Sequence, residues 1–189
     1  KKEISDLLYL ICDIGKEIKI SRIAIVGGLV RDKILNKNIE TSKSLELKDI
    51  DIVVEGSALS LVNAIKHRIS VNRIKQISIY SSYDTAELKI ENLSIDISTA
   101  REEKYPVLAG KPIIQKSNIE TDLKRRDFTI NSIAINLYNQ SVIDPNKGII
   151  DLTKKELKLI HSKSIAEDPT RIIRAARYAS RLEFNVETN

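Results

Sequence analysis

Hydrophobic residues recur along this chain with two periods, and each period predicts a type of element. Apolar side chains at positions 4, 7, 8, 11, 14 and 18 are three or four residues apart, which predicts an amphipathic helix over residues 3–19. Shorter apolar runs are typical of buried strands, and they cover residues 22–26, 49–55, 73–80, 85–90 and 94–98. Because short turns separate the last three runs, we expect these strands to form a meander.

Small and polar residues mark where the elements of the first half change. Gly27-Gly28 follows the first strand and opens a helix that we expect to end near residue 35. The polar residues 36–47 are predicted to form a loop. Ser57 is a suitable N-cap for a helix that ends near His67, because its hydroxyl can accept a hydrogen bond from the first turn.

The second half of the chain has fewer continuous apolar runs. Residues 101–118 are charged and contain Pro106, Gly110 and Pro112, so we predict a loop there. The elements predicted after it are a helix over 122–131, a hairpin of 133–137 with 141–143, and a helix over 149–158.

The last predicted element is a long helix that begins at Pro169. Proline suits the first helical position because the missing N–H has no partner there, and Asp168 can cap this helix. Strand-forming sequence gives way to helix-forming sequence near 160–167. We therefore predict one domain over 1–160 and the beginning of a second, helical domain over 161–189.

The composition is ordinary for a folded domain, with 42% hydrophobic and 30% charged residues among 189. The net charge of +5 is compatible with a polyanionic partner and equally with a merely basic surface. Cys12 is the only cysteine, which excludes an internal disulfide and a cysteine-based zinc site. No apolar run approaches the ~20 residues that span a bilayer, and no signal-peptide pattern is present. We expect a cytoplasmic protein without a membrane partner, and nothing here fixes an oligomeric state.

Asp49-Ile50-Asp51 places two carboxylates two residues apart on a predicted strand, so both side chains lie on one face. The neighbouring Ile and Val residues make this strand half-buried, and paired carboxylates there repel each other and lose hydration. The pair therefore predicts one or two bound divalent cations, against the alternative of an exposed strand that carries two acids. Asp96 lies in another apolar strand and is either a third ligand or a single surface acid.

Two further clusters contain arginines beside apolar sequence. Arg31 lies one helical turn after Gly27-Gly28, and a glycine turn with a guanidinium can bind phosphate. The alternative is an ordinary strand-to-helix turn. Arg125-Arg126-Asp127 precedes an apolar run, and an arginine at a core boundary needs an anion, either Asp127 or a ligand phosphate. Asn131, one helical turn after Asp127, can face the same ligand.

The final cluster contains Glu167, Asp168, Arg171, Arg174 and Arg177. The three arginines recur every three residues and lie close to one helix face. Asp168 and Arg171 offer an acceptor and a donor to the Watson–Crick edge of a base. The alternative is a helix N-cap followed by ordinary salt bridges.

These clusters together resemble the class II tRNA nucleotidyltransferase and bacterial poly(A) polymerase family over about residues 20–186. The matching segments are, in order, Gly27–Asp32, Asp49–Gly56, Asp122–Ser132, Ile143–Pro145 with Gly148, and Glu167–Tyr178. One such motif is a weak signal, whereas five motifs in the same order are highly specific.

The resemblance implies an α+β fold, namely a polymerase-β-type head with a small mixed sheet flanked by helices, followed by the start of a helical neck. It implies that Asp49 and Asp51 are catalytic and bind two Mg²⁺ ions, and it leaves Asp96 open as a metal ligand. The residues implied to bind the nucleotide and its triphosphate are Gly27, Gly28, Arg31, Arg125, Arg126, Asp127, Asn131, Arg174 and Arg177. Base selection would fall to Glu167, Asp168 and Arg171.

The implied reaction is template-independent transfer of CMP or AMP from CTP or ATP to the 3′ end of tRNA, as CCA, CC or A addition. Two alternatives stay open: a poly(A) polymerase acting on general RNA, and a nucleotide-binding module without transfer. The intact pair Asp49 and Asp51 disfavours the module. The chain departs from the family pattern in its longer segment between Gly28 and Asp49, and in Asp84, where a glycine is common.

Overall fold

The computed structural model describes residues 2–37 and 49–187. Its helices, in chain order, are α1 Lys2–Glu17, α2 Gly28–Lys37, α3 Ala58–Arg68, α4 Ile119–Lys124, α5 Gly148–Lys154, α6 Ser164–Glu167 and α7 Thr170–Leu182. Its strands are β1 Arg22–Val26, β2 Asp49–Glu55, β3 Ile74–Tyr80, β4 Thr85–Ile90, β5 Leu93–Thr99, β6 Arg101–Lys104, β7 Ile113–Lys116, β8 Ala134–Asn136, β9 Val142–Ile143, β10 Glu156–Leu157 and β11 Asn185–Val186. The loop predicted over 36–47 begins inside α2, and the rest of it lies outside the described residues.

Seven strands form one mixed sheet in the order β3-β4-β5-β2-β1-β8-β9. β2 and β5 run parallel, while the other neighbouring pairs run antiparallel. β3, β4 and β5 are the predicted meander, and it returns β5 to the side of β2. The mixed sheet with flanking helices that the family resemblance implies is confirmed.

Successive side chains of β2 point to opposite faces of the sheet. Ile50 and Ile52 point into the main core, which α1 and α3 cover with their apolar sides. Asp49, Asp51 and Val53 point to the opposite face. Val53 packs there in a smaller core beneath α4, while the two aspartates line a solvent-accessible cleft.

The predicted helix cap at Ser57 is confirmed, because Ser57 Oγ accepts a hydrogen bond from Ser60 N at 3.3 Å at the start of α3. The cap predicted at Asp168 is displaced by one residue, since α7 begins at Thr170 and Pro169 occupies the N-cap position without a side-chain cap. Asp168 Oδ1, one residue earlier, still accepts a hydrogen bond from Thr170 N at 3.0 Å.

The loop predicted over 101–118 is wrong. β6 and β7 pair as an antiparallel hairpin in which Arg101 lies opposite Lys116. The two prolines and the glycine of this segment all lie in the turn between the strands. The prediction failed because the strands are rich in charged residues and lack an apolar alternation, so the turn residues dominated the pattern.

The single helix predicted over 122–131 is also wrong. α4 ends at Lys124, and residues 129–131 form a separate 3₁₀ turn. Phe128 lies between them with extended backbone and forms a bridge to Leu159. Its side chain is buried in the main core, so the burial of this ring interrupts the helix.

α5 ends at Lys154, four residues before its predicted end, where Lys155 adopts a left-handed φ of 57°. The chain then enters β10, which pairs in parallel with β11 after α7. The domain boundary near residue 160 stays a prediction. In the described ranges, no helix combines the length and apolar character that crossing a membrane requires.

Candidate active site

A cleft of about 930 Å³ lies over the sheet face that carries Asp49 and Asp51. Strands β2, β4 and β5, the β6–β7 hairpin and the start of α7 surround it. Nine residues singled out from the sequence line this cleft: Asp49, Asp51, Asp96, Arg125, Arg126, Asp127, Asp168, Arg171 and Arg174. The fold therefore brings three of the four sequence clusters together in one cleft.

Carboxylates from adjacent strands form the floor of the cleft. The parallel register of β2 and β5 places Asp51 beside Asp96, and the register of β5 and β4 places Glu87 on the far side of Asp96. Side chains at paired positions lie on the same sheet face. A row of negative charge therefore crosses three strands.

Burial, together with this crowding, raises the pKa of two of the carboxyl groups. Burial raises the pKa of Asp51; Arg126 opposes this shift, the Asp49 carboxylate adds to it, and Arg174 opposes it. Burial also raises the pKa of Asp96, and the charge of Asp51 adds to that shift. The anionic forms are therefore disfavoured until a positive charge joins them.

The carboxylates of the cleft fit a divalent cation for which the protein supplies only some of the ligands. Among the described residues, no three His, Cys, Asp or Glu side chains form a ready-made metal cluster. Mg²⁺ is usually held by one or two carboxylates together with substrate phosphates, and not by a complete protein cage. Asp49 and Asp51 suit that arrangement, and a ligand role for Asp96 stays a prediction.

One buried carboxylate holds two arginines of the cleft wall from behind. Asp122 is 0% exposed; its Oδ1 accepts from Arg125 Nη2 at 2.7 Å, and its Oδ2 accepts from Arg126 Nη2 at 3.1 Å. Glu103 Oε1, on the hairpin, accepts from Arg125 Nη1 at 3.0 Å and from Arg101 Nε at 2.8 Å. These contacts fix the orientation of the two guanidinium groups before any ligand binds.

Arg171 closes one end of the cleft and is almost completely buried. Its Nη2 donates to the carbonyl of Arg125 at 3.0 Å, whereas its buried Nη1 has no hydrogen-bond partner in the described part of the chain. Asp168 Oδ2 lies 3.9 Å from Arg171 Nε. A buried donor without a partner costs free energy, so this position fits a ligand that brings an acceptor.

A chain of polar contacts runs from α7 into the head behind the cleft. Arg174 Nη2 and Asp127 Oδ2 form an ion pair at 2.6 Å, and Asp127 Oδ1 accepts from Asn131 Nδ2 at 3.3 Å. Asn131 Oδ1 in turn accepts from Arg31 Nη1 at 2.7 Å. Arg31 and Asn131 thus lie one layer below the groups that line the cleft.

Six residues implied by the family resemblance do not line the cleft: Gly27, Gly28, Arg31, Asn131, Glu167 and Arg177. The two glycines form the turn next to Asp51. Glu167 Oε2 lies 3.3 Å from His161 Nε2, and Arg177 is exposed on α7. Direct contact of these six with a nucleotide stays a prediction.

Ten further residues line the cleft that received no individual role in the sequence analysis: Tyr80, Thr85, Glu87, Ser94, Ser98, Arg101, Glu103, Tyr105, Thr170 and Tyr178. Asp122, behind the wall, did carry a signal, because it precedes Arg125 and Arg126 by three and four residues in a helical segment. Glu103 carried none, since 22 residues separate it from Arg125.

Known proteins share this architecture. Residues 23–158 match the family described as poly A polymerase head domain. The A-adding tRNA nucleotidyltransferase of Aquifex aeolicus (strain VF5) is 39% identical over 168 residues, which cover 87% of this chain and 19% of that protein. The CC-adding tRNA nucleotidyltransferase of Deinococcus radiodurans (strain R1) is 31% identical over 169 residues, covering 87% of this chain and 42% of that protein.

A solved structure of a CCA-adding enzyme in apo form II superposes with a TM-score of 0.82 at 36% sequence identity. The superposition covers 99% of this chain and 42% of that one. The chain therefore spans less than half the length of each of these relatives.

Proposed function

Because the chain belongs to the poly A polymerase head domain family, we propose that it carries the catalytic centre of a cytoplasmic tRNA nucleotidyltransferase. The reaction is template-independent transfer of CMP or AMP from CTP or ATP to the 3′ end of tRNA, with release of pyrophosphate. The observation that carries the proposal is the single cleft that Asp49 and Asp51 share with Arg125, Arg126 and Arg174. One cleft thus offers carboxylates for a cation and guanidinium groups for a triphosphate.

The proposed cofactor is a pair of Mg²⁺ ions held by Asp49, Asp51 and the triphosphate. Bound ions would supply a lowered pKa at the acceptor 3′-hydroxyl and charge stabilisation at the leaving pyrophosphate. The raised pKa of Asp51 supports this assignment, because mutual repulsion and lost hydration are relieved when a cation joins the carboxylates. The protein supplies the remaining geometry.

Arg125, Arg126 and Arg174 form the binding wall for the triphosphate. A guanidinium donates parallel hydrogen bonds to phosphate oxygens. Asp122 and Asp127 hold these arginines in place, so little reorganisation is needed when negative charge shifts toward the leaving group. Phosphoryl-type transfer depends mainly on positioning and charge stabilisation, which is what this wall provides.

Asp168 and Arg171 account for a preference for cytosine and adenine. Asp168 presents an acceptor and the unpaired Nη1 of Arg171 presents a donor. Cytosine and adenine each pair an amino donor with a neighbouring ring-nitrogen acceptor on the Watson–Crick edge, whereas uracil and guanine present the reverse order. A wrong base would leave buried polar groups unpaired, and that penalty is the basis of strong discrimination.

The second candidate is a poly(A) polymerase that adds AMP to general RNA, because the matching family is described by that name. The acceptor distinguishes the two activities. A-, CC- and CCA-adding activity also remain to be separated, since relatives named for A and CC addition both match this chain. We further propose that the head ends near residue 160, which is supported by the end of the family match at residue 158.

A nucleotide-incorporation assay tests the proposal. The longest natural form of the protein is incubated with Mg²⁺ and with tRNAs that end before CCA, after C or after CC, or with an unrelated RNA. CTP and ATP are supplied separately and together, and the Asp49→Ala/Asp51→Ala variant is the control. We expect incorporation on tRNA that the double variant abolishes, and the pattern of acceptors names the subtype.

Equal incorporation of AMP on all RNAs would favour the poly(A) polymerase. No incorporation by a folded protein that still binds nucleotide would exclude a transferase of either kind.

A further inference from the structure

The sheet face that carries the carboxylates continues to an aromatic side chain at its edge. The register pairs Ser98 of β5 with Thr85 of β4, and Thr85 with Tyr80 of β3. These three residues lie on the same face as Asp51 and Asp96 and line the same cleft. A continuous surface therefore leads from the acids to Tyr80.

The two walls of the cleft differ in charge. The wall formed by the segment after α4 and by α7 carries four arginines: Arg125, Arg126, Arg171 and Arg174. The wall formed by β3, β4 and β5 contributes neither arginine nor lysine, and its lining residues are Tyr80, Thr85, Glu87, Ser94, Asp96 and Ser98. A triphosphate is attracted to the first wall and repelled by the second.

In-line transfer places the two substrates on opposite sides of the reacting phosphorus. With the triphosphate on the arginine wall and the reacting phosphorus over Asp49 and Asp51, the acceptor must approach along the β3–β5 wall. Its hydroxyl and aromatic groups suit a ribose and a base.

Tyr80 differs from the neighbouring tyrosine in having an open ring. Its side chain is 52% exposed, and its hydroxyl makes no hydrogen bond within the described ranges. The ring of Tyr83, by contrast, is covered by the Arg101 guanidinium at 5.4 Å. Exposed aromatic rings stack unpaired nucleobases with little regard to base identity. That tolerance suits an acceptor whose terminal base changes with each addition.

We propose that Tyr80 is the platform on which the 3′-terminal base of the acceptor RNA stacks. The inference rests on the proposed function and names the acceptor subsite of the same cleft. Thr85 and Ser98 lie between Tyr80 and the acids. Their hydroxyl groups donate to the carbonyls of Tyr83 and Ile52, so their oxygens are left to accept hydrogen bonds from the terminal ribose. Tyr80 positions the acceptor and takes no part in binding the incoming nucleotide.

Steady-state kinetics of the longest natural form test this role, with KM measured separately for acceptor and nucleotide. Tyr80→Ala is expected to raise KM for the acceptor by about tenfold and to leave KM for the nucleotide unchanged. Tyr80→Phe keeps the ring and is expected to behave as wild type. Tyr9→Ala is the matched control, because Tyr9 is 70% exposed on α1 at the opposite face.

A binding measurement without turnover separates stacking from catalysis. An acceptor with 2-aminopurine at its 3′ end is titrated in the absence of nucleotide. Its fluorescence should be quenched by wild type and by Tyr80→Phe, but not by Tyr80→Ala. If Tyr80→Ala does not fold, Tyr80→Leu replaces it, since leucine retains apolar bulk without a ring.

If the ring-less variant has an unchanged KM for the acceptor and unchanged quenching, the stacking proposal is wrong. An active wild type in the same experiments would show that the proposed transferase function still holds. An inactive wild type would instead count against the proposed function itself, and the quenching would still report whether the ring stacks RNA.

Discussion

The backbone of Gly27 lies directly against the carboxylate of Asp51. A Cβ atom placed on Gly27 would lie 2.8 Å from Asp51 Oδ2, which is closer than a real side chain tolerates. Gly27 also has a φ of 80°, a region that favours glycine. Space and backbone conformation therefore both require glycine at this turn, beside the candidate metal site.

Gly27→Ala is expected to lower both stability and activity. The left-handed backbone costs an alanine about 1–2 kcal/mol, and the added methyl group must displace the Asp51 carboxylate. A shift of about 1 Å in a reacting group can cost roughly a hundredfold in rate. Thermal unfolding and kcat measure the two effects.

Gly28→Ala is the matched variant for stability, because a Cβ there meets Arg31 Nη2 at an ordinary 3.5 Å. Equal unfolding temperatures for the two variants would show that position 27 does not require glycine.

Asp122→Asn is expected to destabilise the fold by about 3 kcal/mol, because removing one partner of a buried ion pair leaves the remaining charges uncompensated. Chemical unfolding at pH 7 measures this difference. Asp13→Asn, at an exposed position of α1, is the control and should change stability by less than about 0.5 kcal/mol.

The difference in stability between wild type and Asp122→Asn should depend on pH. Burial raises the pKa of Asp122, but Arg126 and Arg125 outweigh this effect and hold the pKa below its usual value. A lowered folded-state pKa gives stability that is fully present above the unfolded pKa of about 3.9. We therefore expect the gap between wild type and Asp122→Asn to be constant from neutral pH to about pH 4 and to narrow below it. A gap that instead widens on acidification would contradict the pairing.

Arg31→Lys is expected to lower stability by about 2–3 kcal/mol, despite the retained charge. The Arg31 guanidinium donates to Asn131 Oδ1 and to Asp32 Oδ1, both at 2.7 Å, and it is 2% exposed. One ammonium cannot reproduce this fork of donors. Arg68→Lys is the control, since Arg68 forms an exposed pair with Glu17 that contributes little. Equal melting temperatures for the two lysine variants would refute a structural role for Arg31.

Some parts of the fold could be predicted from the sequence because they follow from local patterns. The central strands have apolar periods of two, and α1 has apolar positions three and four apart, so their elements were predicted close to their observed bounds. The Asp49 and Asp51 pair was recognisable for the same reason, since residues two apart on a strand share a face.

Other parts depend on contacts between distant residues, and no local pattern reports them. Phe128 breaks the predicted helix because its ring packs against Tyr178, with ring centres 5.7 Å apart. The charged residues of the β6–β7 hairpin pair with distant groups, as Glu103 does with Arg125, and the sequence of the hairpin alone does not reveal these partners. The hydrogen bond between Arg31 and Asn131 could not be predicted either, because the two residues are 100 positions apart.

Asp84 stands where the family commonly has glycine, and the structure gives its carboxylate a role. Asp84 Oδ1 accepts from Leu59 N at 3.2 Å at the start of α3, and Asp84 Oδ2 pairs with Lys116 Nζ at 2.9 Å. Asp84→Gly relieves a left-handed φ of 43° but removes both of these contacts and the hydrogen bond that Ser57 Oγ donates to Asp84 Oδ1 at 3.1 Å. We expect a net loss of about 1 kcal/mol, the usual value of a helix cap, measured by chemical unfolding. Lys116→Ala should cost less, because its side chain is exposed. A more stable Asp84→Gly variant would contradict this account.

Metal-dependent nucleotidyl transfer at Asp51 is best tested by asking whether nucleotide incorporation depends jointly on Asp51 and on a divalent cation. The incorporation rate on the preferred acceptor is measured across a Mg²⁺ titration for wild type, Asp51→Asn and the control Asp13→Asn. We expect no incorporation in a chelator and saturation by Mg²⁺ in wild type and control. We also expect a loss of about a thousandfold or more in Asp51→Asn, since bound metal contributes several kcal/mol to the transition state. Wild-type incorporation in the chelator, or an Asp51→Asn rate within about tenfold of wild type, would rule out metal-dependent transfer at Asp51.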